Sequence, residues 1–497
     1  MPKAFDTIIR AALIHDGIGN APRQADVAVD NDRIAMIGTL DERQAALDID
    51  ATGLVVAPGF IDVHTHDDFA AINHPDMAFK SRGGVTSCIV GNCGFGPAPY
   101  EQAMEMFSAI APGKPITRYE GHKGYAARIE EAPPGVNIAV LAGHGTLRLA
   151  AMGHADRPPE AREMKYMKAL LGDALEAGVF GLSSGLIYEP GRHAQTEELI
   201  ELANEMRGTG ALYTTHMRDE SSGLLTSVAE AIEIGARTGA PVQISHHKAS
   251  GRENWGLVSA SLKLIEAAQN RGQSVHADQY PYTAGSTTLQ AILENGAFLK
   301  DSSAGGIGAV TPGDVVVACA PGHPQWEGQS IEALSASLGL TARERAARIT
   351  EEAPGTTAVV RMMSEADVQT VLRHPSTMVG SDGIPTLDGK PHPRLYNTFA
   401  RVIGHYSRDV GLFDLSTAIH RMTGLTAEKF GLHERGRITE GAYADLIVFD
   451  AATIVDTGTF DEPNRYPTGI KDVFVNGAAV VRNGEPTGAR AGRLLRR

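Results

Sequence analysis

Two histidines one residue apart, His64 and His66, follow a short apolar run at 60–63 in the segment Pro-Gly-Phe-Ile-Asp-Val-His-Thr-His-Asp-Asp, 58–68. Side chains alternate along a strand, so both imidazoles project to one side. Neutral imidazole is the commonest metal ligand in proteins, and two on one face can reach a single ion. A pair this short also reads as two hydrogen-bonded structural histidines, and the rest of the chain decides between the readings. Cys93, in Gly91-Asn92-Cys93-Gly94, lies just past the apolar run 86–90. Alone it is a small buried hydrophobe; beside the histidines it is a thiolate ligand. His216 closes Leu-Tyr-Thr-Thr-His and His246 closes Val-Gln-Ile-Ser-His, one strand-plus-helix unit apart. Asp382 follows the run 378–379 in Met-Val-Gly-Ser-Asp-Gly. An Asp before Gly is commonly a turn residue. At a strand end facing a metal, it can take a proton from water and return it to a leaving group.

These residues meet only if the runs that carry them are parallel strands ending on one rim. Apolar runs at 60–63, 86–90, 136–142, 179–182, 211–215, 242–245, 274–277 and 378–379 alternate with segments of helical spacing, as at 197–206 and 227–236. Eight such units imply an α/β fold, a (β/α)8 TIM-like barrel with its functional groups beyond the C-terminal strand ends. Short strand-like pieces at 8–14, 26–29 and 34–37 need a partner, and 446–449, 473–475 and 478–481 around Asn476-Gly477 supply one. The expected division is a small β-sandwich from 1–57 plus 434–497 and a barrel at 58–433. The stretch from Ser286 to His374 is too long for one unit. An insertion is placed at 286–350, with helical patterns at 330–338 and 342–351, as a lid or specificity element at the barrel mouth.

A formal charge of −14 argues against nucleic acid as a partner, which needs a surplus of Lys and Arg. No apolar run reaches membrane-spanning length and the opening residues carry no long apolar segment, so the expected location is the cytoplasm, with no membrane partner. Cys88, Cys93 and Cys319 are too few for a disulfide framework and suit a reducing compartment. Cys88 and Cys319 are expected to be buried thiols, and His144 and His247 to lie outside the ligand set. No Gly-x-Gly-x-x-Gly follows the first strand, so nothing points to a dinucleotide. Oligomeric state is not legible at this level.

The chain resembles the amidohydrolase superfamily and, within it, the D-aminoacylase (N-acyl-D-amino-acid deacylase) family over nearly its whole length. The motifs that carry the likeness are His64-Thr65-His66, Gly91-Asn92-Cys93-Gly94, Gly-Leu-Ser-Ser-Gly-Leu at 181–186, Ser245-His246-His247-Lys248, Tyr280-Pro281-Tyr282 and Ser381-Asp382-Gly383. The resemblance implies zinc held tightly by Cys93, His216 and His246, with His64 and His66 at a second, weakly occupied or vestigial site. Many members of the superfamily bridge two metals through a modified lysine on the fourth strand, and here that strand has none. The implied reaction is hydrolysis of N-acyl-D-amino acids by zinc-activated water, with Asp382 as general base and acid. A product amino acid calls for a carboxylate clamp. Lys248, Tyr282, Ser286 and Arg394 are the candidates, with Tyr188 a fifth from the resemblance. The alternative is a cyclic-amide hydrolase of the hydantoinase or dihydroorotase kind, against which the missing lysine and the presence of Cys93 count. A barrel retained only as an interaction module is the reading from a different class, and keeping all six rim residues speaks against it.

Overall fold

Parallel strands Phe60–Asp62, Val85–Val90, Asn137–Val140 continuing as Ala142–Gly143, Gly181–Gly185, Leu212–His216, Val242–Ile244, Val275–Gln279 and Thr377–Val379 form the centre of the chain. The computed structural model describes residues 4–41, 43–108, 116–298 and 306–497. Hydrogen bonds order the strands first to third and third to eighth. The ring closes where Thr65 bridges Gly383, the Asp382 N–H donates to the His64 carbonyl (2.7 Å) and the His66 N–H donates to the Gly383 carbonyl (3.0 Å). This is the expected eight-stranded barrel. Its strands are buried on both faces, which explains their nearly unbroken apolar character. Helices cover the outside. Leu224–Thr238 buries Leu224, Val228, Ala231, Ile232 and Ile234 along one stripe and stops at Gly239, whose φ of 78° suits a residue without Cβ.

The two chain ends join in one nine-stranded sheet. Val55–Pro58 pairs in parallel with Phe5–Ile14 and antiparallel with Leu446–Phe449, so residues some 400 positions apart share a ladder. Ile9, Val27, Val29, Val56, Leu446, Val448 and Phe474 pack into a core of their own. The final residues continue under the barrel floor, where Leu495 N–H donates to the Ile138 carbonyl (2.7 Å).

The long interruption of the barrel carries its own antiparallel sheet, Ala284–Thr288, Thr357–Arg361 and Val315–Cys319 in that spatial order. Helices Ile331–Ala336 and Ala342–Glu352 match the helical spacing, whereas the strands were not legible. Ala-Gly-Ser-Thr-Thr reads as a turn, and only pairing with distant Thr357–Arg361 extends it. Residues 299–305 of this region lie outside the described ones. Cys88 is buried as expected, but Cys319 is only half-buried, beyond an irregularity in the register after Val317.

Between the first and last strands a buried ammonium acts as a clamp. Lys80, from the short helix Ala78–Ser81, places its Nζ 2.7 Å from Asp62, 3.2 Å from Asp67, and 2.9 Å from both Thr65 Oγ1 and Ser381 Oγ. Asp62 in turn accepts from the Ser381 N–H (2.8 Å) and hydroxyl (2.6 Å). Removing one partner of a buried ion pair strands the other charge. Lys80→Met is therefore expected to lower unfolding stability by about 3–5 kcal/mol, measured by urea denaturation. An unshifted urea midpoint would show the clamp to be dispensable.

Candidate metal centre and active site

Cys93, His246 and Asp382 each follow a barrel strand, and all three have left-handed backbones, with φ of 55°, 36° and 49°. For residues with a Cβ such conformations cost about 1–3 kcal/mol each and persist where surrounding packing dictates them, often at functional sites. At Cys93 that packing is visible. A Cβ on Gly94 would stand 2.8 Å from the Gly185 nitrogen, and one on Gly185 would stand 2.0 Å from the Cys93 carbonyl oxygen. The loop after the second strand is thus pressed onto the end of the fourth, with glycine on both sides of the contact.

The rim brings the five sequence-predicted donors together with the predicted base, Asp382. Cys93 Sγ lies 3.3 Å from His64 Nε2 and 3.6 Å from His246 Nε2, while His246 Nε2 lies 2.8 Å from His216 Nδ1. Asp382 Oδ1 is 3.2 Å from His66 Nε2 and 3.5 Å from His64 Nε2. All six are buried.

Three residues that spacing did not reveal hold this set in place. Asp278, on the seventh strand, accepts from the His246 backbone N–H (2.8 Å) and faces His64 Nδ1 at 3.2 Å. Glu220 accepts from Lys248 Nζ (2.6 Å) and lies 2.9 Å from His246 Nδ1. Tyr280 lies under the Arg394 guanidinium, 4.4 Å from its ring centre. The first two left a signal: an acid inside the apolar strand Val-His-Ala-Asp-Gln, and an acid four residues past His216, each needing a partner once buried. Carboxylates behind metal-ligating imidazoles fix ring orientation and tautomer.

The electrostatics follow from this packing. Burial pushes the Cys93 thiol up, but the charge of His64 and hydrogen bonds from His216, His246 and His64 outweigh it and bring the thiol well below its ordinary value. Burial likewise opposes ionisation of Asp382, and Arg394, His64 and His66 together hold its carboxyl well below the usual range.

The clamp candidates divide. Arg394 Nη2 lies 2.9 Å from Asp382 Oδ2 and donates to the Ser286 carbonyl (3.2 Å), and its buried Nε and Nη1 have no protein partner. Tyr188 packs edge-on against His216, ring centres 4.9 Å apart, and its hydroxyl lies 3.3 Å from Thr287 Oγ1. Lys248 is at the rim, but its charge is met by Glu220. The Tyr282 ring packs against His392 (5.0 Å) and under Arg401 (4.9 Å), and the Tyr280 ring lies under Arg394 (4.4 Å). His247 points outward to Ser261 (2.8 Å), and His144 is paired with Glu198 (2.9 Å).

The donors fit a divalent ion. Tetrahedral zinc, at ~2.3 Å from sulfur and ~2.0–2.1 Å from nitrogen, sets those two ligands about 3.6 Å apart, and Cys93 and His246 show that spacing. Donor atoms of His64, Cys93 and His246, and separately of His64, His66 and Asp382, fall within 4.8 Å of one another. His216 Nε2 and His66 Nδ1 are buried without a hydrogen-bond partner, with Glu220 Oε2 3.7 Å from His216 Nε2.

The amidohydrolase family profile matches residues 48–301 and 330–481. Barrel, rim and profile together define an amidohydrolase-type barrel. A D-aminoacylase of Alcaligenes xylosoxydans xylosoxydans is 40% identical, the alignment covering 99% of this chain and 98% of that protein. A solved D-aminoacylase, described for its binuclear metal centre with one-metal activation and second-metal attenuation, superposes with a TM-score of 0.89 at 41% identity over 99% of this chain and all of that one. An N-acyl-D-glutamate deacylase from Bordetella bronchiseptica, solved with zinc and a phosphonate mimic of the tetrahedral intermediate, gives 0.90 at 37% identity over the whole of both chains. The chain belongs to the D-aminoacylase (N-acyl-D-amino-acid deacylase) family of amidohydrolases. Cys93→Ala is expected to lose the divalent ion that the parent protein retains through gel filtration, as measured by elemental mass spectrometry. Retention at parental stoichiometry would remove Cys93 from the donor set.

Proposed function

We propose that the protein hydrolyses the amide bond of N-acyl-D-amino acids, releasing a carboxylate and a free D-amino acid. The observation that carries this is Arg394: a buried guanidinium with two unpartnered nitrogens, fixed beside Asp382 at the donor rim. That geometry suits a substrate with a free carboxylate next to the reacting nitrogen. The D preference rests on the relatives, named for D-aminoacylase and N-acyl-D-glutamate deacylase activity.

Cys93, His216 and His246 would hold zinc tightly, and His64 and His66 would serve a second, weaker site. Zinc bound there would polarise the amide carbonyl and acidify water near neutral pH. Asp382 takes the proton of the attacking water and delivers it to the departing nitrogen, without which an amide nitrogen leaves poorly. Arg394 both holds Asp382 ionised and, through its unpartnered nitrogens, orients the substrate carboxylate, with Ser286, Tyr188 and Lys248 around it. Asp278 and Glu220 keep His64 and His246 aimed. The described residues of the insertion at 286–350 would form a lid-like wall at the mouth of the barrel at 58–433, and 1–57 with 434–497 would form the second domain. No helix among the described residues is long and apolar enough to cross a membrane. Free cysteines, one of them in the proposed donor set, suit the reducing cytoplasm.

The cyclic-amide alternative is disfavoured by the fourth strand, Gly181–Gly185, which has no lysine and whose Ser184 is bonded to Thr215 (2.9 Å). A panel of N-acetyl-D- and N-acetyl-L-amino acids with a hydantoin and dihydroorotate tests the assignment. Turnover confined to the D-acyl substrates is expected, and turnover of the cyclic compounds alone would overturn it. Asp382→Asn is expected to keep its metal and lose about 10²–10⁴-fold in kcat. Arg394→Ala is expected to raise KM strongly at unchanged metal content, and unaltered kinetics would exclude it as the clamp.

A further inference from the structure

On the side of the rim away from Arg394, a cavity of about 200 Å³ opens between the loops after the second, third and fourth strands and the helix Leu289–Glu294 of the insertion. Phe95, Met106, Leu149, Ala291 and the ring of Tyr188 give it an apolar lining, while the Tyr188 hydroxyl turns to Thr287 (3.3 Å), next to the Ser286 that Arg394 holds. Two of these touch the donors: the Phe95 ring lies 5.9 Å from that of His66, and the Tyr188 ring 4.9 Å from that of His216. The cavity is therefore one side-chain layer from the place where a carbonyl would react. Glu105, Glu189 and Glu294 also line it, Glu105 paired with His154 (2.7 Å) and Glu189 with His193 (2.7 Å).

The position of the other half of the substrate decides what this cavity can hold. On the deacylase reading, on which this inference rests, the leaving nitrogen lies by Asp382 and the α-carboxylate by Arg394, after the last strands. A planar amide puts its acyl carbon on the far side of the carbonyl from the amine substituent, toward the second to fourth strands. Its lining holds no Lys or Arg, and its histidine, His154, is already paired with Glu105 (2.7 Å), so the cavity offers an α-carboxylate no cation and suits a hydrocarbon. We propose that this cavity is the acyl subsite, and that it takes unbranched acyl chains longer than acetyl. Each methylene taken from water into an apolar pocket corresponds to about a fourfold gain in binding.

The test compares kcat/KM for N-acetyl-, N-butyryl-, N-hexanoyl- and N-octanoyl-D-methionine with the intact protein, Ala291→Phe and Leu149→Phe. The parent enzyme is expected to improve about fourfold per methylene over the first steps. Each phenylalanine should lower the octanoyl-to-acetyl ratio by about tenfold or more. A flat or falling series in the parent overturns the proposal without any variant having to fold. So do variants that scale all four substrates by one factor. A parent active on N-acetyl-D-methionine but with a flat series overturns the acyl subsite alone; a parent inactive on every member overturns the deacylase reading as well.

Discussion

The catalytic rim depends on one closure: the end of the first barrel strand must lie against the end of the eighth. Ordinary pairing contributes little there, since the two strands share no continuous ladder and meet through one bridge and two backbone hydrogen bonds. The side chains beneath complete the joint. Lys80 binds Asp62 and Asp67 from the first strand and the loop after it, together with Ser381 from the segment after the eighth, and Asp62 binds the Ser381 backbone directly. His64 and His66 leave this joint on one side and Asp382 on the other, which sets their 3.2–3.5 Å separations. A small error in the joint would pass undiluted into the geometry of the proposed base and the donors.

Above the clamp, charge is arranged in layers. The donors face the mouth, and acids stand behind the imidazoles: Asp278 behind His64 and Glu220 behind His246, with Lys248 neutralising Glu220. Burial raises the cost of every charge in this region, so each persists only where a partner is within hydrogen-bond reach. Asp68 is the exception that illustrates the rule. Its two oxygens have no side-chain hydrogen-bond partner, and burial pushes its carboxyl up to about 8. The left-handed backbones at Cys93, His246 and Asp382 show the same priority, local strain being accepted where the fold needs a side chain aimed off the regular strand direction.

What could be read from residues alone was what strand periodicity and residue type determine. Apolar runs gave the eight strands, and a His, Cys or Asp at a run's end could be placed on one rim. Past Gln279, where the seventh strand ends and Pro281 follows, residue type alone could not tell which of Tyr280 and Tyr282 lies by Arg394. Lys80 escaped notice since an isolated lysine in sequence looks like surface, and for Asp278 and Glu220 the sequence marked a buried acid without naming the histidines they would face. The insertion's sheet was invisible for a related reason. Its first strand is Gly, Ser and Thr, and its extension comes from a partner some seventy residues away.

The central claim is that a divalent ion held by a thiolate and imidazoles, opposite Asp382, is what allows this barrel to cleave an N-acyl-D-amino acid. Titrating zinc into chelator-stripped protein while following hydrolysis of N-acetyl-D-methionine tests it most directly. Negligible turnover is expected without metal, with a rise that reaches its maximum near one equivalent of zinc per chain. Full turnover by protein verified to be metal-free would contradict it.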